Sequence, residues 1–95
     1  MKTLIGRSPI HGRGLFAARG IRRGELIGVF RGRKAKRNSP YVLWLDEDAK
    51  EGILVTNRLR FANHSPSPNA QCRGVRLVAR RKIWPGEEIT INYNG

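Results

Sequence analysis

The sequence predicts a mainly β domain, and three observations predict it. Short apolar runs recur along the chain, each about one strand long and bounded by Gly, Pro, Asn or Asp. Eleven glycines and five prolines supply turns in quantity. No stretch sustains the apolar period of a long helix. In order, the candidate strands are TLIG at 3–6, GLFAA at 14–18, ELIGVF at 25–30, YVLWL at 41–45, GILV at 52–55, VRLVA at 75–79 and EITIN at 88–92. Several carry β-branched residues, which suit a pleated, half-buried surface. One helical turn fits residues 58–62, and Arg73-Gly74 between NAQC and VRLVA marks a hairpin. A repeat adds organisation: RGIRRGELI (19–27) matches RKIWPGEEI (81–89) at Arg, Ile, Gly, Glu and Ile. Each copy runs through a turn ending Gly-Glu into a new strand, so the repeat predicts paired β lobes around a less regular middle.

Ninety-five residues make one domain, 1–95, with a modest core. A single cysteine, Cys72, excludes an internal disulfide, and with only two histidines it leaves too few ligands for structural zinc. No run suits a signal peptide or a membrane span, so the domain reads as intracellular and metal-free. Nineteen Lys and Arg against seven Asp and Glu give a net charge of +12. The cations concentrate in 22–37 and 73–82, while four of the acids sit in DEDAKE at 46–51. Such a field attracts nucleic acid, acidic protein surfaces or anionic cofactors, and it equally fits a solvated face. The Trp and Tyr residues do not alternate with Arg and Lys along one strand, so the sequence offers no stacking surface for bases.

The chain lacks a P-loop, a Ser-His-Asp or Cys-His set in a recognisable context, and an obvious carboxylate pair. Three other segments stand out. In IHGRGLFAA (10–18), Gly12 and Gly14 read first as a plain turn and second as backbone that a ligand can approach closely. In RFANHSPSPNA (60–70), Asn63 and His64 can each donate and accept, on a backbone stiffened by Pro66 and Pro68. That pair suits an Asx-turn with a capping histidine, or ligand recognition. In PGEEITINYNG (85–95), a strand delivers Tyr93 to a position either structural or within a site.

Together and in this order, the three segments resemble the SET domain, the fold of protein-lysine methyltransferases. The matching residues are Gly12-Arg13-Gly14, Arg60-Phe61-Ala62-Asn63-His64-Ser65-Pro66-Ser67-Pro68-Asn69 and Gly86-Glu87-Glu88-Ile89-Thr90-Ile91-Asn92-Tyr93. YVLWLDED (41–48) resembles the family's tyrosine-containing strand, and the likeness covers nearly the whole chain. The resemblance implies the SET-domain β-clip fold: short strands in small sheets, with a knot-like C-terminal arrangement. It implies that Gly12, Arg13 and Gly14 lie against the methionine part of S-adenosylmethionine, and that Asn63 and His64 hold that cofactor. It implies Tyr93 at the methyl-transfer centre and Tyr41 lining the lysine channel.

The implied activity is S-adenosylmethionine-dependent methylation of a protein lysine by direct in-line displacement. A lysine of pKa about 10.4 is neutral in only about one copy in a thousand near pH 7.4. A sulfonium about 4 Å from the ammonium, at an effective dielectric of about 20, opposes that charge by roughly 4 kcal/mol, or about 3 pKa units. Tyr93 then needs only to orient the amine. Family members also carry a segment after the tyrosine; with the sequence given ending at Gly95, the resemblance implies closure by a second copy in a homodimer, a longer natural chain, or weak binding. The implied setting is cytoplasmic, or associated with chromatin or a nucleoid. The alternative is a β-clip binding module that keeps the scaffold without turnover, attached to nucleic acid or a larger complex.

Overall fold

The computed structural model describes residues 2–35, 42–44 and 52–92, arranged as ten strands and one 3₁₀ turn. The strands are β1 (Thr3–Arg7), β2 (Arg13–Ala17), β3 (Leu26–Val29), β4 (Gly32–Ala35), β5 (Val42–Trp44), β6 (Gly52–Val55), β7 (Asn63–His64), β8 (Ala70–Arg73), β9 (Arg76–Ala79) and β10 (Glu88–Ile91). The 3₁₀ turn spans Arg58–Phe61. They form three small sheets, ordered β1-β2-β10-β7, β3-β9-β8 and β4-β6-β5. Each apolar run singled out in the sequence contributes a strand. The polar strands β4, β7 and β8 were not visible as such.

The repeat organises the first two sheets. Ile21 and Ile83 face each other in an antiparallel bridge and exchange backbone hydrogen bonds of 2.9 and 2.8 Å. Each copy then makes the same turn. The N–H of Arg22 donates to Glu25 Oε1, and that of Trp84 to Glu87 Oε1, both at 3.0 Å. Gly24 and Gly86 close the turns at φ 82° and 83°, a left-handed conformation that glycine enters without a Cβ penalty.

Beyond the turn the copies exchange strands. Ala17 N–H donates to the Glu87 carbonyl at 2.9 Å, and Ala79 N–H to the Glu25 carbonyl at 3.0 Å. β10, which begins in the second copy, therefore pairs with β2, which precedes the first, placing Glu88 opposite Phe16 and Ile89 opposite Leu15. β3, which begins in the first copy, pairs with β9, which precedes the second, placing Leu26 opposite Val78. The β3–β9 pairing shifts register between Leu26 and Gly28.

The core follows from this exchange. Leu15, Ala17, Ile21 and Ile27, in the first copy and the strand before it, share one core with Leu77, Ala79, Ile83 and Ile89, in the second copy and the strand before it, all buried. A fully buried Leu or Ile is worth about 1.5–3 kcal/mol, so these paired positions supply much of the cohesion of a small domain. Leu59, on the 3₁₀ turn, fits against Gly28, where an added Cβ would come within 3.1 Å of its Cδ1. The hairpin at Arg73-Gly74 is present: Arg73 pairs with Arg76, and Gly74 has φ 59° at the first loop position, as the primed two-residue hairpin turns require.

The turn carboxylates make a pH-dependent contribution. The pKa of Glu25 is lowered to about 2, first by the Arg22 N–H and then by Lys2, which lies 3.1 Å away, with Arg19 adding to the effect. For Glu87 burial raises the pKa, but hydrogen bonds from Arg81, the Trp84 N–H and Asn69 outweigh it and leave the net value below the ordinary range. An unfolded Glu titrates near 4.3. Both groups therefore stabilise the fold fully above about pH 4.3, and that stabilisation is lost as the pH falls towards their folded values. We expect the thermal midpoint to fall between about pH 5 and 2, and Glu25→Gln to flatten that decline. An unchanged decline in the variant would assign the acid sensitivity to other groups.

Candidate functional site

β1 and β2 form a hairpin whose loop carries Ser8 to Gly12. The Ser8 N–H donates to the Gly12 carbonyl at 2.8 Å, and Gly12 sits at φ 47° with nothing within 4 Å of where a Cβ would stand. Gly12 is thus a turn glycine beside open space. Gly14 has a different reason. A Cβ there would collide with the Glu88 carboxylate and would approach the Ser8 Cβ to 2.9 Å. Its backbone approaches another part of the protein closely.

That part is a polar cluster centred on Glu88. The Ser8 hydroxyl lies 2.9 and 2.7 Å from the two Glu88 oxygens and donates to them, while accepting from the Ile10 N–H at 2.9 Å. Asn63, 8% exposed, directs Nδ2 at three acceptors: the His11 carbonyl (3.1 Å), the Arg13 carbonyl (3.2 Å) and Glu88 Oε2 (3.0 Å). One side-chain amide so joins the hairpin loop, the Asn-His segment and β10. Its two hydrogens are committed to protein acceptors, so Asn63 shapes the surrounding backbone through them.

The Asn-His segment is itself a short strand. β7 runs parallel to β10, with Asn63 beside Thr90 and His64 beside Ile91, and the Ser65 N–H continues to the Ile91 carbonyl at 2.9 Å. At its far end Asn69, 2% exposed, binds β10 again. Its Oδ1 accepts from the Thr90 N–H at 2.8 Å and its Nδ2 donates to the Glu88 carbonyl at 2.7 Å. A further contact reaches Glu87 Oε2 at 3.2 Å, and the Asn69 carbonyl accepts from the Arg80 N–H at 2.8 Å. The two asparagines thus fasten both ends of one segment to the same strand.

Beside this cluster lies an open groove of about 930 Å³, a volume in the range of small-molecule sites. Gly12 and Arg13 line one side with Arg7 and Ile5, and Arg60 and Phe61 line the other. Arg60 lies 4.8 Å from the Phe61 ring centre, and Ile5 is 39% exposed. The walls thus combine guanidinium groups with apolar surface. Of the candidate residues, Gly12 and Arg13 line the groove, while Gly14 lies in β2 and Asn63 and His64 in β7. Tyr41 and Tyr93 lie outside the described residues, as do the acids of 46–51. Sequence reasoning passed over Arg7, Ser8 and Glu88. Arg7 and Ser8 precede the glycine motif without a spacing signal, and Glu88 shows its place only when folding brings Ser8 and Asn63 to it.

Comparison with known proteins places this arrangement. The chain is 32% identical over 97% of its length to human histone-lysine N-methyltransferase 2B, and 31% identical over 97% to the histone-lysine N-methyltransferase MEDEA of Arabidopsis thaliana. It spans 4% of the first relative and 16% of the second. Among solved structures, a Plasmodium falciparum chain matches with TM-score 0.77 and 24% identity, covering 97% of this chain and 92% of that one. Polycomb Repressive Complex 2 of Chaetomium thermophilum, bound to an inhibitor, matches with TM-score 0.83 and 23% identity over 96% of this chain and 14% of that one. The SET domain family model matches residues 12–94, nearly all of the sequence, and the chain belongs to the SET domain family.

Proposed function

We propose that this chain is an S-adenosylmethionine-dependent protein-lysine N-methyltransferase whose cofactor lies in the groove beside Gly12 and Arg13. The observation that carries the reading is the Asn63 amide, which joins the loop carrying those two residues to β7 and β10 at the groove's edge. The lining suits the cofactor. Arg7, Arg13 and Arg60 offer cations for its carboxylate, Phe61 and Ile5 offer apolar surface, and the open space at Gly12 admits close approach. When bound, S-adenosylmethionine supplies an electrophilic methyl group and a positive charge that favours the neutral form of a nearby amine.

The chain's own residues then bind and orient. The hairpin loop is tied through the Asn63 amide to β7 and β10, and β7 pairs along one edge with β10. Tyr93, two residues beyond β10, would orient the lysine amine, and Tyr41 would line its channel. The relatives are named for histone lysines, which supports a protein lysine as the acceptor. Association with chromatin would follow.

Titration calorimetry with S-adenosylmethionine is expected to show binding by the wild-type chain, weakened about tenfold or more in Asn63→Ala as the loop loses its tie. Methyl transfer to a lysine-rich peptide should fall sharply in Tyr93→Phe while cofactor binding persists. A folded wild-type chain that bound no cofactor at millimolar concentration would identify a binding module that keeps the scaffold alone.

A further inference from the structure

The exchange of strands between the repeat copies has a second result, on surface remote in sequence from the glycine motif. The antiparallel bridge between Ile21 and Ile83 sets Arg22 opposite Lys82. The Gly24 N–H donates to the Ala79 carbonyl at 2.9 Å, which lays the Arg22–Gly24 turn beside Arg80. Arg22, Arg23, Arg80 and Lys82 are all exposed. Neighbouring backbones in such pairings lie about 5 Å apart, well inside the Debye length of about 8 Å at physiological salt. The backbone segments that carry the four cations therefore lie side by side.

Their carboxylate neighbours are engaged elsewhere. Among the described residues, ion pairs hold Lys2 and Arg19 to Glu25 and Arg81 to Glu87, and none holds these four. Glu88 is turned to Ser8 and Asn63. The patch continues along the outer side of the β8–β9 hairpin, where Arg73 and Arg76, both exposed, stand directly opposite one another. Like charges in register destabilise a sheet unless something of opposite sign covers them.

An aromatic side chain lies within the patch. Trp84 is 59% exposed, the most exposed of the large apolar residues among those described, and the Lys82 ammonium sits 4.0 Å from its ring centre. Along the sequence the aromatics are scattered. In the fold one of them stands among paired turns rich in cations. A cationic track with an exposed aromatic platform is the arrangement that binds single-stranded nucleic acid, with phosphates on the cations and a base on the ring.

We propose that the paired repeat turns form a binding site for single-stranded nucleic acid, with Arg22, Arg23, Arg80 and Lys82 contacting phosphates and Trp84 stacking on a base. The site is separate from the groove and does not depend on methyl transfer. It would hold the domain near nucleic acid, giving a basic protein a means to approach targets that share that polyanion.

Fluorescence anisotropy of the full chain with a labelled 20-nucleotide single strand, and with a duplex of the same sequence, tests this. Single-strand binding should be the tighter, and Trp84→Ala should weaken it about tenfold while leaving the duplex little changed. Neutralising all four cations to Gln should reduce the slope of log K against log salt by about 3. Arg23→Gln with Arg80→Gln should cost far more affinity than Arg7→Gln with Arg13→Gln, which removes the same charge at the groove. Equal losses from the two pairs would overturn the site, because binding would then follow net charge alone. Equal binding of strand and duplex, indifferent to Trp84, would overturn the stacking. Displacement of the labelled strand by poly-glutamate at matched charge would assign the surface to an acidic protein instead. Circular dichroism confirms that each variant is folded.

Discussion

Replacing Asn69 with alanine is expected to cost about 3–5 kcal/mol, enough to unfold much of the population of a domain this small. The side chain is 2% exposed and its amide meets the Thr90 N–H and the Glu88 carbonyl at 2.8 and 2.7 Å. Truncation leaves that donor and that acceptor buried beside a cavity that a single water cannot fill in the same geometry. Each unsatisfied group costs about 1–3 kcal/mol. Urea denaturation followed by circular dichroism reads the loss as a shift in midpoint at constant slope. Asn69→Asp keeps the acceptor for Thr90 but turns a donor into an acceptor facing the Glu88 carbonyl and the Glu87 carboxylate, so it should be no better tolerated. A loss below about 1 kcal/mol in Asn69→Ala would show that β10 is held by its strand partners without this side chain.

The second large effect is at Gly14. Gly14→Ala forces the Glu88 carboxylate and the Ser8 Cβ to move, and overpacking of this kind costs roughly 1–3 kcal/mol. The displacement also reaches Asn63, which donates to the same carboxylate, so the loop beside the groove should shift and cofactor binding should fall with stability. Gly12→Ala meets no atom within 4 Å and carries only the strain of its left-handed φ, so its cost should be the smaller. The discriminating measurement is the double variant. With Glu88→Ala present, Gly14→Ala should cost clearly less, the remainder coming from the Ser8 Cβ, a coupling that additive effects would not produce. Equal costs in both backgrounds would place the constraint on Gly14 elsewhere.

The two glycines show what was legible in the sequence and what was not. The strands rich in Leu, Ile and Val were visible because burial leaves its mark on composition run by run. The repeat was visible because Gly24 and Gly86 must adopt the same backbone conformation, and their glutamates cap the same kind of turn. The strand character of Asn63 and His64 was not visible, since two polar residues carry no alternation and their pairing partner lies 27 positions away in each case. The reason for Gly14 was hidden in the same way, as its constraint comes from Ser8 and Glu88 together. Trp84 was read as one of several scattered aromatics. Its setting among cations arises from the Ile21–Ile83 bridge, which local sequence cannot announce.

The place of β10 has a consequence for how the molecule is made. The strand lies at the centre of its sheet, between β2 and β7, yet it is the last strand of the described chain. While the polypeptide is being synthesised, β2 and β7 have no common partner, and β3 waits likewise for β9. The β4-β6-β5 and β3-β9-β8 sheets can close earlier, but the β1-β2-β10-β7 sheet stays incomplete until β10 has emerged. Assembly is therefore dominated by contacts between distant parts of the chain and should be slow for its size. A nascent chain stalled before residue 88 should be digested readily by protease, whereas the released chain should resist it.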